Sequence, residues 1–521
     1  MTKKNLSVMG LLWISLTSMI GSGWLFGSLY SAHLAGPAAI IAWPLAGFLL
    51  LFVALSFAEV ATMFPQSGSL VRLPLYTHGQ LTSVIMGGLA WISLATIPVI
   101  ETQGLVQYAS NYIPGLMVHY NATQYSSTSL GYLVAFILLI SFVLLNYFGI
   151  RLFARINAGF TIWKLLIPSL TVILLLSTSY HHKDFSQYGG FMPYGWHGVM
   201  KAISSGGVFF SLLGFRQAVV MMSEIQNPGK YVPLVLVSSL LFTILLYTGL
   251  QWSFIGSMRE QDLAHGWANL SFTGDAGPFA ALAFIAGMTW LSILLYVDAF
   301  LSPYSTGLVY TTTASHMLAS MGEMKGAPQS LAVMNSYNVP WLSLSVNFLL
   351  AAAMFYLLRG WQAMASFLVA AMMISYATGP ICLICLRKQQ PTQARPFRLR
   401  CGGLIAFIGF YVCTAGVYWS GSDSVCKLLI LTAIGLLLYF LYYYFNKQSH
   451  QTLEGKNALW LLCYLIGLGI FSYLGNYGGK QLIPEYWDLF YLMWFSLMIF
   501  YLALFSTKPP IPIVMAAKIR K

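Results

Sequence analysis

Apolar residues arrive along this chain in long unbroken runs, not in the alternating faces of a water-soluble helix or strand. Runs of roughly twenty residues or more, each enough to cross a bilayer as an α-helix, fall near 8–32, 37–63, 82–109, 129–150, 154–178, 199–222, 231–257, 277–316, 338–358, 361–386, 403–421, 426–446, 457–475 and 486–507. The pattern predicts an all-α integral membrane protein with about 14 transmembrane helices. A transmembrane β-barrel does not fit, because its strands alternate apolar and polar residues in short segments. The run at 277–316 is too long for one straight crossing, which predicts a helical extension outside the membrane. The longest polar stretches are 179–198, 258–276 and 387–402. No soluble domain is expected.

Composition sharpens this picture. The chain is 58% hydrophobic and 7% charged, against about a quarter charged in soluble domains. The net charge of +13 would suit nucleic acid, but its placement points elsewhere. With a cytoplasmic N-terminus, eighteen Lys and Arg residues fall in inward loops and tails and six in outward ones, leaving Lys164 and Arg216 inside the membrane. That asymmetry is the positive-inside pattern. It predicts a multi-pass protein of the cell (inner or plasma) membrane with both termini cytoplasmic, partnered by the lipid bilayer and not by nucleic acid. "RKQQPTQARPFRLR" then reads as a cytoplasmic anchoring loop. The first apolar run is too long for a signal-peptide core and has no A-x-A-like site after it.

Six cysteines are present, with Cys382 and Cys385 in a CxxC on an apolar helix end before Arg387. They read as small core residues, so no metal or cofactor is expected. The sequons at Asn121 and Asn269 read as chance. No P-loop accompanies the spans, which excludes a primary pump built from this chain alone. The absence of H-E-x-x-H, and of a partner motif for Asp298, argues against an intramembrane enzyme.

Two spans carry their own breakers. "SMIGSGWLFGS" interrupts the first, and "SSGGVFFSLLGFRQAVVMMSEIQNPGKYVP" interrupts the sixth through Gly206, Gly207 and Gly214. Interrupted spans in corresponding positions of two halves point to a transporter binding site, because bare backbone at membrane depth is tolerated only where it lines a cavity or meets a ligand. A half-helix beginning after Gly23 offers N–H groups and a positive dipole end to a carboxylate. Unwound carbonyls from Phe209 to Leu213 suit an ammonium group. Together they predict a receptor for a zwitterionic amino acid. Close helix packing is the alternative use of such glycines.

These residues resemble the amino acid–polyamine–organocation (APC) permeases, which share the LeuT-type fold. "IGSGWLF" is similar to their first-helix G-S/A-G motif. "FAEVATMFPQSGSLVRLPLYTHG" resembles their second helix and following loop, and "SLLGFRQAVVMMSEIQNPGKYVP" their sixth helix, G-F-E followed by E-x-x-N-P-x-K-x-x-P. "LPLYTHGQL" and "IPVIETQGLVQYAS" are most similar to the bacterial aspartate–proton symporter group. The resemblance implies a 5+5 inverted repeat (helices 1–5 and 6–10, residues 1–400) followed by four C-terminal helices (401–521). It places substrate between helices 1, 6, 3 and 8. Gly21, Ser22 and Gly23 take the carboxylate with Ile20 beside them in the substrate site, Phe209, Phe210, Leu213 and Gly214 line the sixth-helix side, and Phe210 and Trp24 gate the site. Arg216 stands where the family's G-F-E commonly has Glu. That inversion suits a substrate side-chain carboxylate; an internal salt bridge with Glu101 or Asp298 is the alternative.

Ionisable groups at membrane depth are costly and usually functional. Lys164 resembles the helix-5 lysine that replaces the second sodium ion in proton-coupled members of the family, which makes it the first proton-coupling candidate, ahead of Glu101 and Asp298. A fixed tether between helices 1 and 5 is the alternative. Glu59 and Glu224 are expected near the cytoplasmic gate, and His33, His78 and His316 at span ends. The expected function is secondary active transport of a small amino acid, acidic ones preferred, in symport with a proton by alternating access. An amino acid exchanger is the second reading. A non-transporting sensor or a channel is the reading from another class.

Overall fold

The computed structural model describes residues 6–64, 69–121, 124–148, 151–221, 225–445 and 454–509. Its helices are α1 (Val8–Met19), α2 (Ser22–Ala35), α3 (Ala39–Met63), α4 (Ser69–His78), α5 (Gln80–Ala109), α6 (Ser129–Tyr147), α7 (Arg151–Thr178), α8 (Gly195–Ser205), α9 (Val208–Leu212), α10 (Gln217–Val220), α11 (Pro228–Gly256), α12 (Pro278–Ile285), α13 (Thr289–Glu323), α14 (Trp341–Leu357), α15 (Gly360–Tyr376), α16 (Thr378–Gln389), α17 (Gly402–Trp419), α18 (Ser422–Phe445), α19 (Leu459–Leu474) and α20 (Trp487–Phe505). A hairpin of β1 (Met117–Asn121) and β2 (Gln124–Ser127) follows α5, paired antiparallel with Met117 opposite Ser127.

Among the described residues, ten stretches are long and apolar enough to cross a membrane, and an eleventh is the bent pair Gly195–Ser205 and Val208–Val220. The other expected crossings are helices that miss on one count. Ser22–Met63 is a single apolar stretch in which the tight turn Gly36–Ala38 separates α2 from α3. α14 has 17 residues, and α13 is rich in hydroxyl side chains. The run at 277–316 is not one extended helix: it divides at Gly287, whose φ of +78° an L-residue rarely adopts, into short α12 and long α13.

α5 is apolar on nearly every face and buried along almost its whole length, as expected of a central helix. It packs against α13 and α15, while α3 packs against α11 and α17. The last four helices close on this core through α17 against α3 and α18 against α15. Leu245, Tyr356 and Phe505 stay exposed on the rim, where lipid is the solvent. Outside the spans, the hairpin is tied down by Tyr125 donating to Asp275 and Gln124 donating to Gln362 at 3.0 Å.

Candidate functional site

The first break falls two residues earlier than the glycine pattern predicts. α1 stops at Met19, Ile20 is extended (φ −103°, ψ 92°), and Gly21 caps α2 at φ −128° and ψ −140°. The half-helix therefore starts at Ser22, and Gly23 lies inside it. Gly23 is needed for another reason: a Cβ there would collide with the Ser211 side chain of α9.

A helix end leaves its last carbonyls without intrahelical donors. Here each is met by a side chain from another helix. Lys164 Nζ reaches Thr17 O at 3.5 Å, and Tyr310 hydroxyl donates to Ser18 O at 3.4 Å. Tyr247 hydroxyl donates to Met19 O at 2.8 Å, and Thr306 hydroxyl to Ile20 O at 3.4 Å. Lys164 also donates to Thr306 Oγ1 at 2.8 Å. One lysine thus joins α7, α13 and the end of α1.

On the other side of the break, the Ser22 N–H donates to Glu101 Oε2 at 2.7 Å. A carboxyl group from α5 sits at the N-terminus of α2, and a Cβ on Gly21 would run into it. A hydrogen bond of this kind contributes about 0.5–1.5 kcal/mol with the carboxyl neutral and about 1.5–3 kcal/mol with it ionised. The anion position expected of this half-helix is filled by the protein's own side chain.

The second break also moves. α8 ends at Ser205, Gly207 turns the chain at φ +88°, and α9 resumes at Val208, with a 50° bend across the pair. Phe209 to Leu212 are helical, followed by a 3₁₀ turn from Leu213 to Arg216. The bare carbonyls expected at Phe209–Leu213 are not bare at the turn: Tyr376 hydroxyl donates to Leu213 O at 2.6 Å, and Ser18 hydroxyl to Gly214 O at 2.8 Å. Gly214 permits that approach, since a Cβ would strike the Ser18 carbonyl.

Between the breaks lies an enclosed cavity of about 20 Å³, room for roughly one water. Gly21, Gly23, Glu101, Phe210, Leu213 and Gly214 are on its wall, with Thr306, Tyr310 and Met372. Phe209 is turned away from it, onto Gly416 of α17. Trp24 is buried against Phe279 of α12, ring centres 5.6 Å apart, and does not line the cavity. Arg216 is buried at the end of that turn, its Nη1 3.7 Å from Met372 Sδ and its guanidinium 5.7 Å from the Tyr376 ring centre. Among the described residues no carboxylate pairs with it, so the alternative of an internal salt bridge to Glu101 or Asp298 is not formed. Asp298 accepts from Ser302 at 2.8 Å, and the indole N–H groups of Trp24 and Trp163 stand near its carboxyl group. Glu59 lies far from the cavity, at the end of α3: Arg387 grips it bidentately at 2.9 and 2.6 Å, Arg395 approaches to 3.5 Å, and the Leu399 N–H donates at 2.7 Å. Glu224 lies outside the described residues.

Trp361 of α15 is the residue that sequence reading missed. It donates to Ser22 Oγ at 2.9 Å, stacks on Tyr30 at 5.4 Å, and meets Phe210 edge-on at 5.6 Å. It lies against Gly207, where a Cβ would strike its ring. One indole therefore covers both breaks. Nothing in the local sequence marks it, because its partners are far away along the chain.

Membrane-length helices with two interrupted members facing each other across a buried cavity define a polytopic helical transporter. The amino acid permease profile matches residues 6–439, and the chain belongs to that family; it is a membrane transporter of amino acids, not an enzyme. It is similar to the glutamate/serine transporter AimA of Bacillus subtilis (strain 168), at 35% identity over 96% of this chain and 94% of the relative. It is also similar to the aspartate-proton symporter of the same organism, at 31% identity over 97% of each. The branched-chain amino acid permease BcaP is more distant, at 25% identity over 87% of this chain and 95% of the relative.

Proposed function

We propose that this chain carries a small amino acid, with acidic ones preferred, in symport with a proton across the cell membrane, both termini facing the cytoplasm. Residues 1–400 form the transport core and 401–521 an accessory flank. The reading rests on one observation above others: the Glu101 carboxyl occupies the helix N-terminus that a substrate carboxylate needs. The two compete for one positive dipole end. A proton on Glu101 removes its charge and weakens its hold on the Ser22 N–H, which frees the position for substrate. On the side where the proton leaves, Glu101 returns and displaces the substrate. Proton and amino acid then travel together without touching.

Lys164 holds the end of α1 in register for this exchange, and Asp298 supplies a negative charge on the neighbouring helix. The substrate ammonium group exchanges with the Ser18 hydroxyl at Gly214 O. Arg216, a buried cation without a carboxylate partner among the described residues, receives a substrate side-chain carboxylate. The two relatives at 35% and 31% identity, a glutamate/serine transporter and an aspartate-proton symporter, support the acidic preference.

Amino acid exchange is the second reading. It is favoured by the Lys164 geometry, which would serve equally as a permanent tether. Uptake into proteoliposomes separates the two. Labelled aspartate or glutamate accumulating in an empty lumen under an inward proton gradient supports symport. Uptake that requires preloaded amino acid and ignores the gradient overturns it in favour of exchange.

A further inference from the structure

A second opening lies on the outside of the bundle, between α18 and the packed pair α5 and α13. It has a volume of about 390 Å³, and its walls include Gly88 and Leu89 of α5, Met321 of α13, and Leu431, Gly435 and Tyr439 of α18. Two of these are glycines on different helices, and a Cβ built on either Gly88 or Gly435 meets nothing within 4 Å. Two of the polar groups on the wall are satisfied within the protein: Thr432 hydroxyl donates to Leu428 O at 2.7 Å and Trp91 to Asn347 at 2.6 Å. Most of the remaining wall is aliphatic or aromatic, a poor lining for water, which needs about two to four polar partners.

The groove has a direction. It begins about one turn inside the start of α5, at Val84, and follows α18 from Tyr442 back to Leu431, roughly 17 Å at 1.5 Å per residue. That is about half of a 30 Å hydrocarbon layer. Its mouth is at the end of the bundle that carries the excess of Lys and Arg. Gly326, on the wall at the mouth, follows exposed Lys325, which caps the α13 end with a left-handed backbone (φ +58°). No carboxylate pairs with Lys325 among the described residues, Glu323 included.

We propose that this groove is a binding site for one glycerophospholipid of the leaflet at the positively charged end, with an acyl chain between α5, α13 and α18 and the phosphate at Lys325. Lipid tails are the solvent at this depth, the walls are apolar, and the cation stands where a headgroup phosphate would lie. The chain fills a gap between α18 and two helices that carry site residues, Glu101 on α5 and Thr306 on α13. It braces the scaffold against which α1 and the α8–α10 segment move.

The test is native mass spectrometry of the full chain purified in mild detergent after reconstitution with phosphatidylglycerol. Gly88→Leu and Gly435→Leu are the variants, each filling the groove from a different helix. The wild type should retain one phospholipid per chain, and either variant should lose about nine-tenths of it while keeping a monodisperse profile and its melting temperature. Lys325→Gln should lower retention severalfold. A phospholipid with a mid-chain diazirine should label α5 and α18 peptides in the wild type only. Equal retention in wild type and both leucine variants would overturn the proposal. So would a wild-type dimer that the leucine variants abolish, which would make a second copy the occupant.

Discussion

The Trp361 indole donates to Ser22 Oγ at 2.9 Å, and the same serine's main-chain N–H is held by Glu101 at 2.7 Å. The residue at the start of α2 therefore touches the aromatic cover through its side chain and the carboxyl group of α5 through its backbone. Whatever displaces Glu101 is felt one atom group away by the cover. Trp361→Phe keeps most of the ring packing and removes the donor. It should leave substrate affinity within about tenfold, as expected for a net hydrogen bond of about 0.5–1.5 kcal/mol, while raising uncoupled leak. Trp361→Ala should raise accessibility of a cysteine placed at Phe210. Substrate binding and proton leak in proteoliposomes test the first variant, and thiol-labelling rates the second.

Glu101→Gln preserves a hydrogen-bond acceptor for the Ser22 N–H but cannot take up a proton. Gradient-driven accumulation should fall at least about tenfold, on the order of 1.4 kcal/mol. Exchange of internal for external amino acid should survive. Loss of both in equal measure would reduce Glu101 to a structural cap.

Arg216→Ala should weaken transport of aspartate and glutamate about 10- to 100-fold, the range of a lost charge-assisted hydrogen bond of about 1.5–3 kcal/mol. Serine or alanine uptake should change far less. Competition assays with labelled acidic and neutral substrates give the ratio, and a ratio of one removes the side-chain role.

Gly23→Ala and Gly214→Ala place a methyl group against Ser211 and against the Ser18 carbonyl. Overpacking of this kind costs about 1–3 kcal/mol. Both variants should express and insert, lose most uptake, and melt lower in detergent. Gly88→Ala, whose new methyl meets open space, is the control and should behave as the wild type.

Outside the membrane, Asp184 in the loop after α7 is buried, and one of its oxygens has no partner. Burial pushes its carboxyl up to about 6, against the pull of His181 and His182 and with a further push from Glu260. The folded protein thus holds this proton more tightly than the unfolded chain does. The associated stability is present below the unfolded carboxylate pKa near 4 and is lost as pH rises through about 6. Melting temperature should fall over that window. In Asp184→Asn that part of the fall should vanish, as a pH series of melts would show.

Much of the fold could be read from the chain because lipid imposes a simple rule: apolar runs of sufficient length become helices. The breaks at Gly21 and Gly207 were also visible, since glycine clusters inside such runs have few other causes. Their positions were not. Ile20 ends α1 because four side chains from three other helices reach its last carbonyls, a tertiary fact that no local pattern carries. Phe209 and Trp24 read as site residues by proximity in sequence, yet helical geometry turns one toward α17 and the other toward α12. Arg216 and Lys164 stood out because a cation inside an apolar run is rare. Trp361 did not, because aromatic residues are common throughout the chain.

The short hairpin after α5 has a practical consequence. It is stitched to Asp275 on one neighbouring loop and to Gln362 at the start of α15 on another. A binder raised against it would grip three separated parts of the polypeptide at once. Such a reagent would serve as a fiducial for single-particle imaging and, by clamping those parts together, as a means of arresting the transport cycle at one stage.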